Sequence, residues 1–287
     1  MPRSFTGMTQ QERVQILCAT MHQSDLSKVG QMHITGCDAV LANQADSFGY
    51  CEKNVDGFTV QMITTATRGV GKNRNLALSL STGDILLFAD DDLTYEANAA
   101  EAVARAFRSL PDAEMVVFGI RYVRDGAELR TRVPTTGRLP FLRALRYGTC
   151  AIAVRRSAVL RHNLHFTELF GGGCRYSYGE DTDFIVQCYR SRMRVYGWGE
   201  VIATTSKDSS TCFTGYGEKF YFDKGALARH SLGLMALPYA LRMVSKRLGS
   251  SLSPAQRLRW FVRGYRCFPK LISYEDFSSH EEDSDRQ

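Results

Sequence analysis

No two cysteines stand in a C-x-x-C pair, although the chain holds 8 of them. That absence argues against a paired-thiolate zinc site or a dithiol redox motif. The thiols are scattered, several of them (Cys18, Cys150, Cys188) inside apolar runs. Reduced, mostly buried cysteines of a cytosolic protein are the expected reading. No window approaches the roughly 20 apolar residues that a membrane-spanning helix needs. The polar stretch Met1–Glu12 lacks the apolar core of a secretory signal and reads as an N-terminal lead. Between Lys224 and Lys270 there is no Asp or Glu at all. No internal repeat and no nucleic-acid recognition motif is present, so nucleic acid is not an expected partner.

What is present is enough for one large α/β domain, or one domain with an extension. Val14–Ala19, Asp38–Ala42, Phe58–Ile63, Asp84–Ala89 and Glu114–Phe118 read as strands. Val70–Leu80 and Tyr95–Leu110 read as helices. Val133–Pro140 reads as a loop, Thr149–Val154 and Arg194–Trp198 as strands, and Asp181–Arg192 as a helix. This alternation predicts a mixed, mainly parallel sheet with helices on both faces, followed by a C-terminal helical extension. Ligands of such sheets bind beyond the carboxyl ends of the strands.

Three segments carry chemistry. In Ser81–Leu93 (STGDILLFADDDL) an apolar strand runs into Asp90, Asp91 and Asp92. Adjacent carboxylates repel one another unless a cation or basic groups neutralise them, and hard oxygen ligands suit Mg²⁺ or Mn²⁺. The competing reading is an acidic turn in which an aspartate or Thr94 caps the next helix. Thr67–Asn75 (TRGVGKNRN) places Lys72 and Arg74 at a helix start, where backbone N–H groups attract phosphate. It is not a P-loop, because Ala66 and Asn73 stand where that motif needs Gly and Ser or Thr. Gly171–Phe184 (GGGCRYSYGEDTDF) leads through glycines to Glu180, Asp181 and Asp183. One carboxylate there suits proton removal from an acceptor hydroxyl; the competing reading is helix capping by Asp181.

In this order and spacing the segments resemble the family 2 glycosyltransferases of GT-A fold, of bacterial polysaccharide-assembly type, over residues 13 to 205. The resemblance implies a nucleotide-diphospho-sugar transferase with a Rossmann-like GT-A sheet that inverts the anomeric centre. It implies that Asp90 and Asp92 are the outer aspartates of a D-x-D motif, with Asp92 holding a divalent cation and Asp90 contacting the ribose or that cation. Arg74, with Lys72 and Arg68 beside it, would serve the nucleotide diphosphate. Thr20, Asn43 and Asp91 would complete the donor site, Asp181 would be the general base, and Glu180 would contact the acceptor or orient that base. The implied donor is a nucleotide sugar, a UDP-sugar by expectation, and the acceptor is a glycan or a lipid-linked hydroxyl. Two departures stand out. The second strand ends Asn43-Gln44-Ala45-Asp46 where the family usually has an acidic pair with glycine and serine. Ile202–Ser210 has no histidine where many relatives place one near the metal; His230 is the remaining candidate.

The expected division is a lead at 1–12, a transferase domain at 13–222, a basic amphipathic extension at 223–272 and an acidic disordered tail at 273–287. Apolar residues interleave with Arg and Lys over 224–270 at helical spacing, so an anionic membrane surface is a candidate partner and the protein is expected in the cytoplasm, peripheral to that membrane. Phe213–Ala226 fits either an acceptor site or packing of the extension. Two rivals remain at this point. Asp90–Thr94 also satisfies the D-x-D-x-T nucleophile motif of haloacid-dehalogenase-like phosphatases. A nucleotidyltransferase would share the fold and the metal logic.

Overall fold

A computed structural model describes residues 12–206, 215–245 and 249–284. The stretches 1–11, 207–214, 246–248 and 285–287 lie outside the described residues. They hold most of the lead, the end of Ile202–Ser210, the start of Phe213–Ala226, Lys246 and Arg247, and the last residues of the tail.

The elements run β1 Val14–Met21, α1 Ser27–Gln31, β2 Asp38–Gln44, β3 Gly49–Val55, β4 Phe58–Thr65, α2 Val70–Ser79, β5 Ile85–Asp90, β6 Leu93–Tyr95 and α3 Ala99–Ser109. They continue β7 Met115–Arg124, β8 Ala127–Arg132, β9 Gly137–Arg138, α4 Phe141–Ala144, β10 Ile152–Arg155, α5 Arg156–Arg161, α6 Glu180–Arg190 and β11 Val195–Ser206. The helices α7 Glu218–Leu227, α8 Ala236–Ser245, α9 Pro254–Cys267 and α10 Tyr274–Ser284 close the described chain.

The 11 strands form one sheet in the order β3-β4-β2-β1-β5-β10-β7-β11-β6, with β8 on β7 and β9 on β11. The run β4-β2-β1-β5 is parallel. Strand β10 enters antiparallel between β5 and β7. All residues of β1 from Val14 to Thr20 are buried, as are Ile85 to Ala89 of β5. Both faces of these central strands are therefore covered, which is why they read as unbroken apolar runs. Register brings Thr20 opposite Asn43 and Ala19 opposite Asp90, so the ends of β1, β2 and β5 meet at one sheet edge.

Several sequence expectations change. Tyr95–Leu110 is not one helix: Leu93–Tyr95 is the short strand β6, paired with β11, and α3 starts at Ala99. Thr149–Ala151 is a 3₁₀ turn, and the strand begins at Ile152. The hairpins β3–β4 and β7–β8 were not anticipated. The tail expected to be disordered from 273 forms α10 as far as Ser284, anchored where Arg175 pairs with Asp276 at 3.0 Å.

The expected boundary at 222/223 falls inside α7. Helices α7 and α9 pack with their backbones in contact. An ideal Cβ on Gly225 would sit 1.9 Å from the Phe261 carbonyl oxygen, and one on Gly264 would sit 1.9 Å from that of Phe222. Phe220, Tyr221, Phe222 and Leu227 join Phe170 and Tyr176 in a second apolar core. The extension thus packs directly on the glycine loop that leads into α6.

Candidate active site

Each chemical segment ends at the same sheet edge, and one side chain ties them together. Arg74, on α2, is only 4% exposed. Its Nη2 donates to Asp90 Oδ1 at 2.6 Å, and its Nη1 donates to Glu180 Oε1 at 3.3 Å and lies 3.5 Å from Asp181 Oδ1. A buried guanidinium is tolerable only with such partners. Its two neighbours are locked as well. Asn73 Nδ2 donates to the carbonyls of Thr20 and Ala42 at 3.1 and 2.7 Å, and the Asn75 amide both donates to and accepts from the Phe166 backbone. Gly71 is needed for this approach, since a Cβ there would meet the Thr167 carbonyl oxygen at 2.0 Å.

That geometry sets the surroundings of the basic loop. Arg74 pairs with three carboxylates. Arg68 turns to Asp46 and to the Ala45 carbonyl. Lys72 is exposed. The start of α2 is covered rather than open: Val70 N–H donates to the Gly172 carbonyl at 2.9 Å, Gly69 N–H to Gln44 Oε1 at 2.8 Å, and the Cys174 thiol lies against the Val70 and Gly71 amides. Asn43 is fully buried, with its amide spent on the Gln23 backbone and Thr64 Oγ1, so it shapes the turn after β1.

The acidic triplet caps no helix. Asp90 ends β5, Asp91 and Asp92 form the turn, and β6 follows; the next helix starts after Asn98. Asp91 accepts from Thr20 Oγ1 at 2.6 Å, and its carbonyl accepts from Lys28 Nζ at 3.3 Å. Asp92 Oδ2 accepts from Thr205 Oγ1 at 3.0 Å. Burial, and then the nearby Asp90, push the Asp92 carboxyl up to about 6. The phosphatase reading loses its context, because the triplet follows the fifth strand and Thr94 is paired with Thr204 inside the sheet.

Asp181 does not cap α6 either; Gly179 occupies that position with no side-chain cap. Asp181 Oδ1 instead accepts from the Thr149 N–H at 3.1 Å and from its hydroxyl. Its Oδ2 has no hydrogen-bond partner among the described residues and faces Gly148, whose ideal Cβ would lie 3.3 Å away. Glu180 is held above the usual carboxylate range by burial, then by Asp181. Lys28, Thr149 and Thr205 carried no signal in the sequence, because their partners lie 63, 32 and 113 residues away.

His230 is not near the triplet. It packs on Phe170 and Phe268, with Nε2 3.5 Å from Asp183 Oδ1. Among the described residues no group of three or more His, Cys, Asp or Glu side chains converges on a metal position. A Mg²⁺-like ion needs only one or two carboxylates when substrate phosphates supply the rest. Asp90 and Asp92 fit that lesser requirement: they are hard donors, and the mutual repulsion that raises Asp92 is what a cation would relieve.

Residues 49–165 match the family model described as Glycosyl transferase family 2. The acidic triplet Asp90–Asp92 lies inside that stretch. That stretch of the chain is similar to the family 2 glycosyltransferases. No curated protein sequence matches the chain. Among solved structures, the chain is similar to S. aureus TarS 1–349 in complex with UDP-GlcNAc, at 14% identity and a TM-score of 0.55 over 90% of this chain and 73% of that one. The same fragment in complex with UDP matches at 14% identity and a TM-score of 0.54, covering 90% and 72%. Full TarS matches with a TM-score of 0.52 at 14% identity, covering 92% of this chain and 44% of that one. At this identity the likeness shows the fold.

Proposed function

We propose that this protein is a family 2 glycosyltransferase that moves a sugar from a UDP-sugar to a hydroxyl of a cell-surface glycan or its lipid-linked precursor, with inversion. The observation that carries the reading is Arg74: one buried cation holds Asp90 of the triplet and Glu180–Asp181 of the downstream motif in a single site. The solved TarS complexes hold UDP-GlcNAc and UDP on the same fold, which supports uridine as the base.

In this mechanism the acceptor hydroxyl approaches Oδ2 of Asp181. Thr149 and Arg74 hold Oδ1 and so fix the direction of Oδ2. As the new bond to the anomeric carbon forms, the hydroxyl proton passes to Asp181. The bond from that carbon to the diphosphate oxygen breaks on the opposite face, and the nucleoside diphosphate departs. Asp90 and Asp92 would hold Mg²⁺ or Mn²⁺, which when bound neutralises charge on the leaving diphosphate. Thr205 and Thr20 orient Asp92 and Asp91. Glu180 lines the same space and is inclined to keep its proton, which suits donation to an acceptor oxygen.

An anionic membrane surface is the proposed site of work. No helix among the described residues is long and apolar enough to cross a membrane. The turn before α8 and its outer face expose Leu234 (98%), Leu237 (70%) and Leu241 (63%), with Arg242 beside them. Leu142 and Arg143 of α4 are exposed nearby, where Phe141 packs on the Ala236–Ala240 cluster. An apolar ridge rimmed by arginine, in a stretch without acidic residues, suits interfacial binding.

A screen of nucleotide sugars tests the core of the reading. Mn²⁺-dependent thermal stabilisation by UDP over GDP, with slow UDP-sugar hydrolysis, is the expected result. Stabilisation by no nucleotide at all would remove the donor assignment.

A further inference from the structure

Arg74 and Arg68 are already paired and Lys72 is exposed, and α7 supplies a further cation that makes no ion pair among the described residues. Helix α7 lies across the entry to α6. Asp223 Oδ2 accepts from the Ser177 N–H at 2.9 Å, and an ideal Cβ on Gly179 would meet the Leu227 side chain at 2.7 Å. These two contacts bracket Lys224 on the helix and Tyr178 on the loop. The Lys224 ammonium sits 5.7 Å from the Tyr178 ring centroid and 5.4 Å from that of Phe220. It makes no ion pair and no hydrogen bond among the described residues. Glu180 is the carboxylate that acts on it most strongly, ahead of Asp223 and Asp181. Burial alone drives the ammonium toward losing its proton. Aromatic faces offset only part of that desolvation.

Lys219, one turn earlier on the same helix, is the contrast. It pairs with Glu275 at 2.7 Å and reaches Asp223 at 3.6 Å. The fold has therefore placed acceptors for one lysine of α7 and none for the other. A desolvated ammonium without a partner is unfavourable unless a ligand completes it.

We propose that Lys224 is a phosphate-binding residue of the glycosyltransferase site, donating to non-bridging phosphate oxygens beside Glu180 and Asp181. The phosphate belongs either to the donor diphosphate or to a phosphate-bearing acceptor. The inference rests on the site proposed above. It adds a ligand group that neither the triplet nor the basic loop accounts for.

Calorimetry on the full chain with Mn²⁺ separates the sources. UDP and uridine are titrated first, and inorganic phosphate is then titrated into UDP-saturated protein. Wild type, Lys224→Met and Lys224→Arg are compared. A loss of about tenfold or more in UDP affinity in Lys224→Met, with uridine binding unchanged and Lys224→Arg largely restored, assigns the donor diphosphate. Unchanged UDP binding with phosphate binding abolished in Lys224→Met assigns the acceptor. If Lys224→Met keeps both affinities within twofold, the proposal is overturned. A melting curve guards against a folding artefact: removing a half-buried charge that makes no ion pair should leave Tm unchanged or raised. A fall in Tm with both affinities intact would assign Lys224 to packing alone and overturn the proposal. If wild type binds no UDP, the donor reading fails instead, and the phosphate titration on ligand-free protein still tests the lysine.

Discussion

The start of α2 and the rim formed by Asp181, Asp92 and Lys224 lie at the same sheet edge and treat their polar groups in opposite ways. At α2, Arg74 touches three carboxylates, Arg68 is paired, and Asn73 and Asn75 are bonded to backbone. At the rim, Asp181 Oδ2 faces Gly148, Asp92 is inclined to hold a proton, and Lys224 lies against aromatic faces, within the field of Glu180 but in no ion pair among the described residues. The contrast casts Arg68 and Arg74 of the charged loop as framework, and the proposed chemistry falls to the groups the fold leaves unsatisfied. Substitution in the first region should therefore reach stability, and substitution in the second should reach turnover or ligand affinity.

The largest expected effect is on the rim. Asp181→Asn keeps the acceptor for Thr149 but removes the proton acceptor, so transfer should fall about 100- to 10,000-fold with UDP affinity unchanged. Steady-state transfer and calorimetry on the same preparation check this, and unchanged turnover would move the base elsewhere. Next is the framework. Arg74→Met leaves Asp90, Glu180 and Asp181 mutually repelling without their cation. A loss of about 3 kcal/mol is expected, at the low end for breaking a buried pair because Asp90 stays partly solvated. Urea unfolding measures it, and a loss below about 1 kcal/mol would place Arg74 with the rim.

The acid limit comes third. Asp92 holds its proton up to about pH 6, above the ordinary aspartate value. Its protonated form competes with a cation, so metal affinity should be level above that pH and fall about tenfold per unit below it. Mn²⁺ titrations between pH 5 and pH 8 would show this break near the value for Asp92. Flat affinity across that range would detach Asp92 from the ion. Smallest is Gly148→Ala. The backbone there is extended, so the fold should tolerate it, but the new methyl crowds Asp181 Oδ2 at 3.3 Å. About a fivefold rise in acceptor KM, roughly 1 kcal/mol, is expected, with Tm held.

The central parallel strands were legible because burial on both faces writes them as continuous apolar runs, as in Ile85–Ala89. Strands β3 and β8 were not legible, since nearly all of their residues are exposed and no apolar alternation marks them. Strand β6 has three residues and exists by pairing with β11, more than 100 residues later. Helix α10 is polar, and contacts from Arg175 and from the second core hold it in place. In the site, the carboxylates could be found from their local patterns. The commitment of Arg74 could not, because its partners lie 16 and 106 residues away. Lys224 stands with Lys219 in a stretch that fits either an acceptor site or packing, and what distinguishes the two, the ion pairs that only Lys219 makes, is visible only once α7 is docked.

The account stands most directly on whether Asp90 and Asp92 join nucleotide to metal. Calorimetric titration of UDP into the protein with Mn²⁺, repeated with EDTA and with Asp92→Asn, measures this. The account predicts binding with Mn²⁺ that is lost in both controls. Equal UDP affinity in all three would contradict it.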